Sequence, residues 1–338
     1  MASLKDVAKA AGVSTATVSR VLNNPEVVQD GTRERVHRAI KKLHFTSNRV
    51  ARRLRVKEGS SKIIGLVLPD ISNPFYVEVL RGVEDYAFEN EYAVISCNFD
   101  QNERRKDLYL DILQSESIDG MVVAPVHEHD KKVTELVQSG MPIACIDRGL
   151  SDIEADIVMV DNRKGAYEAI SHLIRLGHKR IGFITGLPEI PTTVERLKGY
   201  RDALSEHNIP FNSRLVKYGD SKHESALRLT QDMLAGRPRP TALFTGNNLI
   251  TLGALEMIHR MGLKIPTDIA VVGFDDMYWS ISLNPPLTAV RQPGYDIGRR
   301  GAELLLQRVK QPGRSTVKVV FDTVLKVRRS CGNTDPLG

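Results

Sequence analysis

The sequence of 338 residues is poor in the features that mark secreted, membrane-bound and metal-binding proteins. Its three cysteines, Cys97, Cys145 and Cys331, are too few and too widely spaced for a disulfide framework or a zinc site. No apolar run is long enough to span a bilayer, and residues 1–9 lack the apolar core of a signal peptide. These absences predict a cytoplasmic protein with no membrane partner.

Common motifs of nucleotide-dependent and hydrolytic enzymes are also missing. The sequence contains neither of the phosphate-binding patterns GxGxxG and GxxxxGK[ST], and it has no GxSxG elbow. The stretch HEHD at 127–130 lacks the HExxH spacing of a zinc protease, since Lys131 takes the fifth position, and a solvated loop is expected there. We therefore expect no enzyme activity, no cofactor and no metal.

Charge is distributed unevenly along the chain. Residues 1–62 contain 14 Lys and Arg against 5 Asp and Glu, whereas the remaining residues contain 33 against 36. A small basic region joined to a larger, mildly acidic one is typical of a nucleic-acid-binding module attached to a separate domain. The N-terminal region is therefore predicted to bind a polyanion.

The stretch 4–22 predicts two short helices joined by a tight turn. Its apolar residues recur at spacings of three and four, and Gly12 supplies the left-handed backbone that ends the first helix. Ser14 is placed to cap the second helix, whose first turn is small and polar. A third helix, predicted at 32–43, completes the core of a helix-turn-helix, which places its second helix in the major groove of DNA.

The next segment, FTSNRVARRLRVKEGSSK at 45–62, is strongly basic. Ser47 or Asn48 is placed to cap a helix of roughly two turns that ends near Arg55 and carries arginines on one face. So short a helix is marginal in water and like charges at these spacings repel, so we expect it to fray when free and to form on DNA. A flexible linker is the alternative, and both descriptions can hold in different states.

From residue 63 onward, apolar strands alternate with stretches of helical length. The alternation repeats in two successive sets, which predicts two doubly wound parallel sheets, each covered by helices on both faces. The expected fold is thus an all-α head followed by an α/β core of two lobes. The predicted boundaries are a helix-turn-helix at 1–46, a hinge and linker at 47–62, and a core at 63–330, with a first lobe at 63–160 and 292–316 and a second lobe at 161–291 and 317–330.

Polar residues follow most of the predicted strands, at the edge where open α/β sheets bind their ligands. Carboxylate, amide and guanidinium groups there suit a sugar, because such groups bond vicinal hydroxyls while aromatic faces cover the ring. Helix capping is the alternative role for many of them, whereas ligand contact is the expected role of Arg196 and Asp275. The aromatic candidates are Phe75, Tyr76, Tyr278 and Trp279.

Several longer motifs occur together along the chain. They are VAKAAGVSTATVSRVLN, NRVARRL, IGLVLPDISNPFY, GHKRIGFITG with RLKGYRDAL, and VGFDD followed by PPLTAVRQP. With them the chain resembles the lac-repressor (LacI/GalR) family over essentially its whole length. The resemblance implies a homodimeric transcriptional repressor that binds pseudo-palindromic operator DNA. It also implies a core like that of periplasmic sugar-binding proteins, with a small effector, a sugar or sugar derivative, bound between the lobes.

The same resemblance implies which residues contact DNA. Arg20 is the main candidate for a base contact, because Thr15 and Ala16 at the other base-reading positions offer little hydrogen bonding. Leu54 matches the leucine that such repressors insert into the minor groove. The implied DNA-binding residues are Ser14, Thr15, Ala16, Thr17, Ser19, Arg20, Asn23, Asn48, Arg49, Ala51, Leu54 and Arg55.

The effector class stays open at this stage. Where the family usually has an Asn-Asp pair, this chain has Asn247 and Asn248, which removes a carboxylate from the edge of the site. The first expectation is a sugar inducer. The alternatives are an acidic or phosphorylated sugar or a nucleobase acting as co-repressor, and a non-regulatory sugar-binding protein. The implied effector-binding residues are Asn73, Phe75, Asp147, Arg148, Arg196, Asn247, Asp275 and Gln292.

Overall fold

A computed structural model describes residues 2–45 and 60–332. The chain divides into two units, Met1–Ser61 and Lys62–Gly338. Most of the predicted hinge therefore lies outside the described residues, and its role stays a prediction. This applies to the predicted DNA-binding residues Asn48, Arg49, Ala51, Leu54 and Arg55.

Three helices build the first unit: α1 (Leu4–Ala11), α2 (Thr15–Asn23) and α3 (Asp30–Lys42). Gly12 ends α1 with a φ of 65°, and the Ser14 hydroxyl accepts a hydrogen bond from the Thr17 amide at 3.1 Å. Both features confirm the predicted turn. The helices enclose a small core of Val7, Ala8, Ala11, Val18, Val21, Val36 and Ala39.

The second unit holds two six-stranded sheets that share one strand order. The strands of the first sheet are β1 (Ile63–Leu68), β2 (Ala93–Asn98), β3 (Gly120–Val123), β4 (Ile143–Ile146), β5 (Asp156–Val160) and β11 (Lys318–Phe321). They lie in the order β11-β5-β4-β3-β1-β2, and every pair is parallel. β1, β3 and β4 are almost fully buried, as their continuous apolar sequences predict.

The second sheet repeats this plan. Its strands are β6 (Ile181–Thr185), β7 (Val216–Tyr218), β8 (Ala242–Thr245), β9 (Ala270–Phe274), β10 (Thr288–Arg291) and β12 (Val324–Lys326). Their order is β12-β10-β9-β8-β6-β7, in which β12 is antiparallel to β10 and the other pairs are parallel. The two equivalent sheets confirm the predicted two-lobed core.

Helices pack against both sheets. Those of the first lobe are α4 (Pro74–Glu89), α5 (Glu103–Ser115), α6 (Lys131–Gln138) and α11 (Gly294–Lys310); those of the second lobe are α7 (Asn162–Arg175), α8 (Pro191–Glu206), α9 (His223–Ala235) and α10 (Asn248–Arg260). α4 and α11 approach so closely that a Cβ at Gly82 would lie 2.0 Å from the carbonyl oxygen of Tyr295. Only glycine fits there.

The last crossing between the lobes differs from the prediction. The sequence placed residues 317–330 in the second lobe, but β11 pairs in parallel with β5 of the first sheet. Val319 and Phe321 of β11 pack against the core of the first lobe, which explains why the chain stays there. The crossing therefore falls between β11 and β12, at residues 322–323.

Two further local predictions are wrong. β2 lies at the edge of the first sheet and is not covered on both faces, and Ile95 is 40% exposed. The stretch 127–130 is not entirely a solvated loop, because Asp130 is buried, caps α6 and pairs with the buried Lys106 at 2.5 Å. Within the described ranges, no group of three or more His, Cys, Asp or Glu residues is arranged to hold a metal. No helix in those ranges is long and apolar enough to cross a bilayer.

Candidate functional sites

The second helix of the head presents a polar face outward. Thr15, Ala16 and Arg20 are exposed, while Val18 and Val21 of the same helix are buried in the head core. Ser14, Thr17 and Ser19 flank the exposed face, and the Ser14 and Thr17 hydroxyls lie 2.9 Å apart. The predicted DNA-binding residues of α2 thus share one region. Asn23 forms the last turn of this helix.

A small cavity lies between the two lobes of the core, with a volume of about 40 Å³. Loops that follow β1, β2 and β4 form its first-lobe wall, and loops that follow β6, β7, β8, β9 and β10 form its second-lobe wall. All eight predicted effector residues line it. They are Asn73, Phe75, Asp147, Arg148, Arg196, Asn247, Asp275 and Gln292.

Asp147 and Arg148 dominate the first-lobe wall. Asp147 follows β4 with a φ of 64°, and its Oδ2 accepts a hydrogen bond from the Tyr76 hydroxyl at 2.8 Å. Burial and the nearby Asp147 charge raise the pKa of Tyr76 well above its usual range, so this hydroxyl stays a donor. The Nε of Arg148 lies 3.2 Å from the same oxygen, and its Nη1 donates to the Pro125 carbonyl at 3.2 Å.

Arg196 on α8 is the central cation of the second-lobe wall. Its Nε donates to the Oδ1 of Asn162 at 2.8 Å, and its Nη1 donates to the carbonyl of Gly246. The guanidinium carbon lies 3.7 Å from the centre of the Phe274 ring. Burial lowers the pKa of Arg196, which nevertheless keeps its charge because the ordinary value is so high.

Asp275 faces Arg196 from the loop that follows β9. Its backbone has a φ of 77°, and its carboxylate accepts bonds from the Gln292 side chain and from the Asn248 amide at 3.4 Å. Burial raises the pKa of Asp275, and the charge of Arg196 offsets part of this rise. The buried carboxylate is therefore held in place by bonds that a substitution would break.

Asn73 and Asn247, both predicted to bind the effector, also cap helices. Asn73 caps α4 and also accepts a hydrogen bond from the Nδ2 of Asn248, in the opposite lobe, at 3.1 Å. Asn247 caps α10, accepting from the Ile250 amide at 2.8 Å. Both therefore cap helices and line the cavity.

Several buried polar atoms around the cavity make no hydrogen bond within the described part of the chain. They include Oε1 of Gln292, Oδ1 of Asn248 and Nε of Arg148, although the last lies close to Asp147. A buried polar group without a hydrogen bond costs about 1–3 kcal/mol. Of these atoms, Oε1 of Gln292 belongs to a residue that lines the cavity and is thus an acceptor that a polar ligand can satisfy.

Some lining residues carry no strong sequence signal. Thr192 and Thr193, in the first turn of α8, follow the apolar pair Ile190 and Pro191 and look like ordinary helix residues. Two aromatic predictions fail in turn, because neither Tyr278 nor Trp279 lines the cavity, and Tyr278 is 87% exposed. Tyr76, in contrast, lines it as expected.

A helix-turn-helix unit followed by two open sheets with a polar cleft between them defines a DNA-binding regulator with a periplasmic-binding-protein-like core. The family model for periplasmic binding proteins and the sugar binding domain of the LacI family matches residues 61–325. The model for bacterial regulatory proteins of the lacI family matches residues 3–48. The chain belongs to this family.

Similar proteins agree with this assignment. The transcriptional repressor PurR of Aliivibrio salmonicida is 35% identical, with 92% of this chain and 93% of PurR covered. The ribose operon repressor of Haemophilus influenzae is also 35% identical, with 98% of both chains covered. A solved lac repressor dimer, bound to operator and the anti-inducer ONPF, is 26% identical with a TM-score of 0.85, covering 98% of this chain and 99% of that one. The protein is a DNA-binding transcriptional repressor under effector control, and not an enzyme.

Proposed function

We propose that the effector of this repressor is a neutral polyhydroxylated molecule, most simply a sugar, held by the eight predicted residues of the cleft. The balance of charge carries this proposal. Asp70, Asp147 and Asp275 line the cavity against only two cations, Arg148 and Arg196. A phosphorylated or acidic ligand needs an excess of positive charge, which this wall does not offer.

The partners of the two arginines support the same conclusion. Arg148 bonds to main-chain carbonyls beside Asp147, and Arg196 bonds to Asn162 and the Gly246 carbonyl. Both guanidinium groups thus already have hydrogen-bond or ion-pair partners within the protein. A sugar hydroxyl both donates and accepts, so it matches the mixed set of carboxylates, amide oxygens and a guanidinium N–H that face the cavity.

Effector binding and lobe movement are coupled in this proposal. The cavity of about 40 Å³ is far smaller than the roughly 300–1,000 Å³ of most small-molecule sites. A sugar therefore enters only when the lobes separate, and side chains of the cleft must move to make room for it before the lobes close again. The effector shifts the balance between arrangements by its differential affinity, about 1–3 kcal/mol in typical allosteric proteins.

The remaining elements of the proposal concern DNA and assembly. Arg20, Thr15 and Ala16 read the operator bases, with Arg20 contacting guanine. The protein acts in the cytoplasm as a homodimer, like the lac repressor dimer to which it is similar. Exposed apolar side chains on both lobes supply the surface for a partner copy. They include Ile95, Leu108, Ile112, Tyr278 and Ile281.

A thermal-shift panel on the full-length protein tests the effector class. The panel contains neutral sugars (glucose, galactose, ribose, cellobiose), glucose 6-phosphate, gluconate and hypoxanthine, and a bound ligand raises the melting temperature by mass action. A neutral sugar is expected to stabilise the wild type and not Asp275→Asn. Stabilisation by the phosphate, the acid or the nucleobase alone would contradict the proposal. Operator titration with the positive compound then separates inducer from co-repressor.

A further inference from the structure

One ion pair joins the two lobes at the side of the core remote from the chain crossings. Lys222 Nζ lies 2.7 Å from Asp100 Oδ1. Asp100 follows β2 and Lys222 follows β7, and these strands form corresponding edges of the two sheets. The crossings follow β5, β10 and β11, which lie toward the opposite edges. The pair therefore bridges the open side of the cleft, where the lobes separate.

Each member of the pair is the chain neighbour of a residue that lines the cavity. Gln101 follows Asp100 and Ser221 precedes Lys222, and both line the cleft. These turns have left-handed backbones, with φ of 51° at Asp100, 56° at Gln101 and 65° at Ser221. Such conformations are uncommon outside glycine and direct the side chains of these turns.

Further hydrogen bonds tie both turns to the walls of the cavity. The Gln101 amide donates to the Pro69 carbonyl at 2.9 Å, next to Asp70 in the first-lobe wall. The Ser221 carbonyl accepts from the Nδ2 of Asn247 at 3.1 Å in the second-lobe wall. Movement of the ion pair therefore moves residues that a bound sugar contacts.

We propose that Asp100 and Lys222 are positioning residues for the effector, and that their ion pair holds the cleft closed and slows effector exchange. The inference rests on the proposed binding of the effector in this cleft. It assigns to two residues outside the predicted set a role in how long the effector stays bound, because the lobes must part before a sugar leaves.

The surroundings of the pair allow it to open without leaving a charge unpaired. The carboxylate of Asp100 also lies 4.0 Å from Arg105, on its own lobe. Lys222 has Asp220 nearby on its own lobe, and the hydrogen bond from Lys222 to Asp100 raises the lysine pKa. Each lobe thus retains an opposite charge when the cleft opens, which keeps the penalty for separation small.

Charge reversal tests this role through the rate of effector release. We expect Asp100→Lys and Lys222→Asp each to speed dissociation of the best-binding neutral sugar of the panel about three- to tenfold, the range for loss of a half-exposed ion pair plus repulsion. The double variant Asp100→Lys with Lys222→Asp restores an attractive pair but places each new charge beside a like charge, Arg105 on one lobe and Asp220 on the other, so its rate should recover in part and fall below those of both single variants. Stopped-flow fluorescence with a competing sugar measures these rates.

A matched pair within one lobe serves as the control. Glu89 and Arg299 form an ion pair of the same length, 2.7 Å, and similar exposure within the first lobe, and neither residue lines the effector cavity. Exchanging their charges alters a half-exposed pair without touching the lobe junction, so the release rate should stay unchanged. Equal acceleration in this control would overturn the positioning role, as would a double variant no better than the single ones.

The salt dependence of the release rate gives a second test, because a purely structural role of the pair would not produce it. A neutral sugar carries no charge for salt to screen, so faster release in wild type at high ionic strength reports screening within the protein. This dependence should vanish in Lys222→Met. Its persistence in that variant would contradict the proposal.

Hydrogen exchange of the free protein separates this inference from the proposed function. In both single charge reversals, amides of the cleft segments 69–76 and 246–250 should exchange faster, and in the double variant their rates should move back toward the wild-type rate. This result would support the interlobe role even if no compound of the panel bound. Unchanged exchange in the single variants would refute it, whatever the outcome of the panel.

Discussion

The recognition face of the head and the cleft of the core both consist of polar side chains, but they differ in burial. Thr15, Ala16 and Arg20 are exposed on α2, whereas Asp147 and Arg196 are only 4% and 7% exposed. An exposed polar side chain can change without disturbing the fold, while a buried one also holds its neighbours in place. Substitutions in the cleft should therefore alter stability and binding together, and those on the recognition face should alter binding alone.

Arg196→Ala should have the largest effect. It removes the hydrogen bonds to Asn162 and the Gly246 carbonyl, and it leaves the buried Asp275 without the positive charge that offsets part of its burial. We expect a loss of about 3 kcal/mol in the free energy of unfolding of the core, together with loss of effector binding. Urea unfolding and calorimetric titration measure both. Arg163→Ala, an exposed control on the same lobe, should change stability by less than about 0.5 kcal/mol.

Asp275→Asn should separate the effect of the buried carboxylate on stability from its effect on effector binding. Because burial raises the pKa of Asp275 above 3.8, the folded protein binds this proton more tightly than the unfolded chain does. Wild-type stability should therefore fall as pH rises from 3.8 through the raised pKa, and the asparagine variant should not show this loss. Effector affinity should drop about a hundredfold, the effect of losing charged hydrogen bonds. If the free energy of unfolding changed with pH in the same way in both proteins, this account of the Asp275 carboxylate would be refuted.

Arg20→Ala should change recognition without changing stability. If Arg20 reads a guanine, its loss should lower operator affinity by about 1–3 kcal/mol while binding to random DNA stays nearly constant. Competition footprinting at fixed salt measures the ratio of specific to non-specific affinity. Arg38→Ala, an exposed control on α3, should leave that ratio unchanged. Equal losses in the two variants would contradict base reading.

Ser14→Ala should have the smallest effect. The Ser14 hydroxyl caps α2, and removal of such a cap costs about 1 kcal/mol of helix stability. Hydrogen exchange of α2 amides should become faster, while amides of the core keep their rates. A change in the core would show that the two units do not unfold independently.

Much of this architecture could be predicted because parallel strands read as continuous apolar runs and end in polar residues at one edge. That regularity brought Asn73, Asp147 and Asp275 to one cavity in the prediction as in the structure. It fails where a position depends on tertiary register. The sequence of β11 fits a strand of either lobe equally well. Only its pairing with β5 shows that it belongs to the first lobe.

Contacts between side chains of different lobes cannot be predicted from a single sequence either. The 2.7 Å contact between Asp100 and Lys222 joins residues 122 positions apart, and no local pattern relates them. The aromatic prediction for Tyr278 failed for a similar reason. Asp276, two residues earlier, forms a bidentate ion pair with Arg328, which ties this turn to the segment that follows β12.

The interleaved order of the strands has a consequence for synthesis on the ribosome. The core of the head closes within residues 4–45, so this unit is complete early. The first sheet waits for β11, and its closely packed helix α11 also comes late, so neither lobe is finished until nearly the whole chain has emerged. Premature termination at almost any codon beyond the head therefore leaves a DNA-binding fragment that cannot respond to an effector.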